Sequence, residues 1–313
     1  MPCGLISHPA CLDHIPPPGH PESPDRLRAV LAALDAPAFR ALVRAEAPKA
    51  DRTALVAAHD PAHVDAVLGI LNTTARSRGY ATIDADTIMS AGSAEAALRA
   101  AGAVVHAVDR VADGEWTNAF CAVRPPGHHA PPDRAMGFCL FNNVAVGAFH
   151  AHKIRLFERI AVVDFDVHHG NGTEDISWKH PNFFYASTHQ SPLYPGTGAA
   201  NERGVAQNIL NVPLAPFSGS DAFRTAMSNV ILPALESFAP DFIFISAGFD
   251  AHKADPLAEL QLDETDFGWA TAGICDVAHR TCGGRVVSTL EGGYDLDALG
   301  RSAAAHVRAL MEA

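Results

Sequence analysis

The sequence lacks any C-x-x-C pair, internal repeat, low-complexity tract or long linker, and no apolar run approaches the roughly 18 residues that a bilayer-crossing helix needs. Its six cysteines (Cys3, Cys11, Cys121, Cys139, Cys275 and Cys282) are scattered. That spacing argues against a thiolate metal cluster or a disulfide framework and leaves reduced, partly buried small residues as the expectation. Basic residues are also short, 23 Lys and Arg against 35 Asp and Glu, for a net charge of −12. A nucleic-acid backbone or an anionic membrane would repel that charge, so neither is expected as a partner. The opening MPCGLISHPACLDH has no basic-then-apolar signal pattern, which leads to the expectation of a soluble, cytoplasmic protein.

What is there is the composition of a folded chain, 48% apolar against 19% charged over 313 residues. A chain of this length buries roughly three quarters of its unfolded surface without disulfide staples. It suits two small domains or one large α/β domain. Seventeen histidines are an unusual number, so the question becomes which of them gather.

Helical signals alternate with short apolar runs. Ser23-Pro24 reads as N-cap and first-turn proline ahead of Leu27, Val30, Leu31 and Leu34. An Ala-rich helix is expected over 93–112, and another after Ser220 with Phe223, Met227, Val230, Ile231 and Leu235 on one face. Two more are expected at 263–281 and 296–312. Between them, Asn118–Val123, Arg159–Phe165, Asn182–Ser187, Asp241–Ser246 and Arg285–Leu290 are near-continuously apolar, as strands covered on both faces are. The alternation predicts one open, mostly parallel sheet sandwiched by helices. The stretch 1–90 is less regular and is expected to supply surface loops.

Ligands of such sheets sit outside the carboxyl ends of the strands. Here the five strand ends lead into RPPGHHA, DFDVHHGNG, STHQSPLYPGTG, AGFDAHKADP and EGGYD, each delivering Asp, His, Tyr or Gly. Alternation along an extended chain turns Asp164, Asp166 and His168 to one side. With Asp250 at the edge of another strand, two carboxylates and an imidazole can form a three-ligand metal site with a position left open. Zn²⁺, Fe²⁺ or Mn²⁺ suits that mixture, although such side chains can also simply cap loops. His128 and His129, on a proline-stiffened turn, can serve as an acid/base pair or remain loop histidines. Tyr294, after Gly292-Gly293, can donate to an oxyanion or merely pack.

In this order RPPGHHA, GFCLFNN, DFDVHHGNGT, SAGFDAHKADPL and LEGGYD, with GHPESPDRL before them, resemble the zinc-dependent histone deacetylase superfamily. The wording is nearest its class II and bacterial histone deacetylase-like amidohydrolase or acetoin-utilisation branches. The resemblance runs from about residue 5 to residue 300. It implies a single arginase-like α/β domain over 1–313, with a central, mostly parallel sheet and helices on both faces. It further implies Zn²⁺ held by Asp166, His168 and Asp250, with His128 and His129 flanking the attacking water and His129 as base and later acid. Asp164 would accept from His128, and Asn171 stands where class I members carry an aspartate behind the second histidine. Tyr294 matches the oxyanion-donating tyrosine, which poorly active branches replace by histidine. Gly137, Phe138 and Tyr194 match the acyl-lysine tunnel, where phenylalanine is usual at the position of Tyr194. K⁺ would sit with Asp164, Asp166, His168, Ser187 and Thr188. Arg26 matches an arginine near the internal acetate exit, or makes a structural salt bridge. Thr87 falls near a site of hydrogen bonding to the substrate amide.

Polyamine-specific relatives place an acidic gatekeeper where this sequence has Leu257, which favours acyl-lysine or a neutral amide as substrate unless Glu259 substitutes. The single D-x-D-x-H-H run argues against a two-manganese ureohydrolase. Ester hydrolysis by the same groups stays open, as does self-association into a homo-oligomer. A non-catalytic acyl-peptide binding module should have lost Tyr294 or a histidine, and all are kept.

Overall fold

The computed structural model describes residues 2–313. Ten strands form: β1 (Cys3–Ser7), β2 (Val43–Glu46), β3 (Tyr80–Thr82), β4 (Ile88–Ser90), β5 (Asn118–Cys121), β6 (Ile160–Asp164), β7 (Phe183–Gln190), β8 (Ile209–Leu214), β9 (Phe242–Ala247) and β10 (Val286–Leu290). Eight of them make one sheet in the order β2-β1-β5-β10-β9-β6-β7-β8, parallel throughout, while β3 and β4 pair antiparallel apart from it. The interior strands are buried at every position of β5, β6, β7, β9 and β10, as strands between two helical layers must be.

The helices are α1 (Pro24–Leu34), α2 (Arg52–Ala58), α3 (Pro61–Ala66), α4 (Asn72–Arg78), α5 (Ser93–Ala112), α6 (Asn143–Lys153), α7 (Asn171–Trp178), α8 (Ser220–Ala226), α9 (Leu232–Phe238), α10 (Glu264–Cys282) and α11 (Leu296–Glu312). α5 and α6 pack together in one layer, and α10 and α11 in the other with α1 against α11. His306 of α11 locks the second layer to the sheet. Its Nδ1 lies 2.6 Å from Thr271 Oγ1 of α10 and its Nε2 2.8 Å from Ser288 Oγ of β10.

The structure corrects several expectations. The stretch 1–90 is not only loops: it contributes β1 and the edge strand β2. The opposite edge, β8, was not expected, and β7 runs on to Gln190. Ser23 and Pro24 stand at the N-cap and first turn of α1 as expected, with no capping hydrogen bond from the Ser23 side chain. The helix after Ser220 widens through a π turn at Met227–Ile231. Phe223, Met227, Ile231 and Leu235 recur every fourth residue, and the extra residue in the wide turn cancels the drift this spacing would cause in an α-helix. All four are buried, and Val230 is turned out to 39% exposure. The six cysteines are free and buried, and burial pushes the thiols of Cys3 and Cys275 up to about 12.

Burial holds His306 down to about 3 against an ordinary 6.5, so the folded protein keeps it neutral. Above the ordinary value neither state binds the proton. Below it the unfolded chain does and the folded chain does not. Stability should therefore fall as pH drops from about 6.5 toward 4, with a contribution of up to about 1.4 kcal/mol per pH unit from this residue. Urea unfolding across that range should show a shallower pH slope for His306→Gln than for the wild type.

Candidate metal centre and active site

The carboxyl ends of β5, β10, β9 and β6, neighbours in the sheet, lead into the segments that hold the site. One ligand atom each from Asp166, His168 and Asp250 lies within 4.8 Å of the others. His168 Nδ1 stands 3.2 Å from Asp166 Oδ1 and 3.1 Å from Asp250 Oδ2. Backbone donors fix the carboxylates: Gly292 N–H donates to Asp166 Oδ2 at 2.8 Å, His168 N–H to Asp166 Oδ1 at 2.9 Å and Val167 N–H to Asp250 Oδ1 at 2.8 Å.

Glycine makes room for this convergence. A Cβ on Gly248 would stand 2.0 Å from Asp166 Oδ2, and one on Gly292 2.0 Å from Asp250 Oδ2. Burial pushes the Asp250 carboxyl up, and the charge of Asp166 adds to it. Burial opposes a charge on His168 too, yet the two carboxylates outweigh it and raise the imidazole to about 10. The three side chains thus make a cradle that demands positive charge. Two oxygen donors and one nitrogen fit a divalent ion with a vacant coordination position.

Beside it lie the two histidines of the RPPGHH loop, their rings 4.1 Å apart. His128 Nδ1 is 3.0 Å from Asp164 Oδ2, which also accepts from the Tyr185 hydroxyl at 3.1 Å. Burial works against the His128 charge, but Asp166 and Asp164 lift it to about 10. His129 is the opposite case. Burial, then the charges of His128 and His168, hold it well below its ordinary value. Its Nδ1 is 2.8 Å from Asn171 Oδ1, an amide oriented by its Nδ2–H donating to Met136 Sδ. An oxygen acceptor there places the proton on Nδ1 and leaves Nε2 as the lone-pair nitrogen.

The histidine loop is itself held by Glu291, whose Oε2 accepts from the N–H groups of Gly127 (2.6 Å) and His128 (3.1 Å). Tyr294 follows three residues later. Burial keeps its phenol well above the ordinary value, so it stays protonated. Arg26 lies 4.7 Å over the Tyr294 ring and donates to Gly293 O and Glu291 O, each at 2.5 Å. It is also paired with buried Glu22 at 3.0 Å, so it does make the salt bridge.

Phe138 stands 6.0 Å edge-on to Tyr294, and Tyr194, 39% exposed, 5.1 Å edge-on to His129. Gly137 packs so closely under His129 that a Cβ would meet its ring at 2.6 Å. Ser187 lies in register beside Asp164, followed by buried Thr188. Thr87 lies behind Phe138. It is buried, its Oγ1 accepts from Phe138 N–H at 3.2 Å and donates to Asp86, so it braces the backbone of the aromatic wall. Leu257 is half-buried, and Glu259 is tied to Gln190 Nε2 at 3.0 Å.

The family described as "Histone deacetylase domain" matches residues 20–310. The chain belongs to the histone deacetylase family. Among relatives, it is 42% identical over 282 residues to the "Histone deacetylase-like amidohydrolase" of Pseudomonas aeruginosa, covering 88% of this chain and 73% of that protein. It is 38% identical to the "Type-2 histone deacetylase 2" of Dictyostelium discoideum, covering 98% of this chain but only a fifth (20%) of that protein. The crystal structure of the HDA15 HD domain superposes with a TM-score of 0.92 at 36% identity, covering 99% of this chain and 88% of that one. The α/β architecture of parallel sheet and helices is thus the histone deacetylase fold, as the motifs implied. No helix among the described residues is long and apolar enough to cross a membrane.

Sequence reasoning gave no role to Glu291, Glu22, Asp255 or Tyr185. The first three lie inside quoted motifs, where a glutamate or aspartate reads as loop charge until its burial is known. If the glycine cradle sets the carboxylate geometry, Gly248→Ala should lose bound divalent ion, measured as metal per chain by atomic absorption, while its far-ultraviolet circular dichroism stays that of the parent.

Proposed function

We propose that this protein is a zinc-dependent amidohydrolase that releases an acetyl or other short acyl group from an acylated amine, acyl-lysine foremost. The observation that carries the reading is the His129 imidazole, backed by the neutral Asn171 amide and set against the Asp166–His168–Asp250 donor set, its ring 5.9 Å from that of His168. Zinc in that donor set supplies Lewis acidity toward an acyl carbonyl and lowers the pKa of water at the same centre.

The chain's own residues do the rest. His129 Nε2 takes the attacking water's proton and returns it to the departing amine. Asn171 fixes its tautomer without adding charge, and Asp164 orients the His128 ring through Nδ1. The protonated Tyr294 phenol donates to the oxyanion as the carbonyl turns tetrahedral. Gly137, Phe138 and Tyr194 are taken as walls for the acyl-bearing chain. A hard monovalent ion, K⁺, is assigned to oxygens of Asp164, Asp166, His168, Ser187 and Thr188. Leu257 at the gatekeeper position, with Glu259 engaged by Gln190, favours acyl-lysine over an acetylpolyamine. The net charge of −12 favours cationic substrates and disfavours nucleic acid.

Stripping metal with EDTA should abolish hydrolysis of acetyl-lysine peptides, and zinc should restore it. Equal, negligible turnover before and after reloading would replace this reading by a non-catalytic acyl-peptide binding module. Tyr294→Phe should lower kcat by about a hundredfold, the loss typical of one oxyanion donor. Leu257→Glu should raise turnover of acetylputrescine relative to acetyl-lysine peptide, and an unchanged ratio would count against the gatekeeper argument.

A further inference from the structure

Tyr294 sits on a backbone that has little to hold it. Gly292 and Gly293 precede it, and Gly293 has φ +121°, a conformation open in practice only to glycine. Two groups pin this segment from different parts of the chain. Arg26 grips the carbonyls of Glu291 and Gly293 and covers the ring. Asp255, only 7% exposed, accepts from Tyr294 N–H at 2.7 Å through Oδ2. Its other oxygen, Oδ1, accepts from Leu257 N–H at 3.0 Å.

The Asp255 loop is anchored in turn. Asp255 N–H donates to His252 O at 2.8 Å, Ala254 N–H to His252 Nδ1 at 3.0 Å, and His252 Nε2 lies 3.3 Å from Glu264 at the start of α10. A carboxylate is the side chain of this size that can accept at both ends, where an asparagine accepts at one only.

We infer that Asp255 is a positioning residue for Tyr294: it clamps the phenol's backbone to the loop bearing Leu257, and so couples the wall beside the substrate to the oxyanion donor. The inference rests on the role proposed above for Tyr294.

The test compares Asp255→Ala and Asp255→Asn, each alone and combined with Tyr294→Phe, by kcat and KM on an acetyl-lysine peptide and by amide hydrogen exchange over 255–257 and 292–295. Asp255→Ala should lower kcat by about tenfold to a hundredfold, since a misplacement near 1 Å can cost that much. KM should stay within about twofold, and Asp255→Asn should fall between. In the Tyr294→Phe background the loss should vanish, and exchange should quicken at both Tyr294 and Leu257 in Asp255→Ala and at one or both of them in Asp255→Asn. Losses that multiply onto Tyr294→Phe as they do on the wild type, an intact kcat, or unchanged exchange would overturn the clamp. Should Asp255→Ala not fold, the isosteric Asp255→Asn carries the same comparison. A wild type that hydrolyses no acylated amine would sink the proposed function, and the exchange readout would still judge the clamp.

Discussion

Two carboxylates shut away from water cannot face one another without positive charge between them. Asp166 and Asp250 do so across the ends of neighbouring strands, with His168 Nδ1 within 3.2 Å of both. The surrounding structure can be read as what that arrangement requires. The parallel sheet brings β6 and β9 side by side, so residues 84 positions apart meet. Glycine stands at 248 and 292 because the carboxylate oxygens occupy the space a methyl would need. Backbone N–H groups of Val167, His168 and Gly292 hold the two carboxylates in place.

Electrostatics then divide two chemically identical neighbours. His128 and His129 share a loop and a burial level, yet one has Asp164 behind it and the other a neutral amide. The first is driven toward its protonated form and the second away from it. Asp166 and Asp164 raise the first against its burial, while burial and the charges of His128 and His168 lower the second, which has only a neutral amide behind it.

How far this was legible in the sequence follows burial. Interior strands such as FIFISA and IAVVD betray themselves by continuous apolarity, and their ends carry the metal-ligand and histidine motifs in order. The edges do not. β2 (VRAE) is exposed along most of its length, and β8 (ILNVPL) alternates and carries Pro213, which an edge tolerates. The same limit applies to charge. Asp166, His168 and Asp250 stand out because several ligand types recur at strand ends, whereas Glu22, Glu291 and Asp255 matter through burial and pairing that no local pattern encodes.

Glu22 has a consequence beyond its geometry. Its carboxylate, wholly buried, is gripped by Arg26 and by both Nε and Nη2 of Arg124, with His14 Nε2 at 3.2 Å. Loss of the acid strands two guanidiniums in a dry interior, and loss of either base leaves the acid short of a partner. The three positions therefore cannot drift one at a time. The cluster thus acts as a buried rivet between the amino-terminal loop and the loop before the histidines, failing as a whole when any one member is removed.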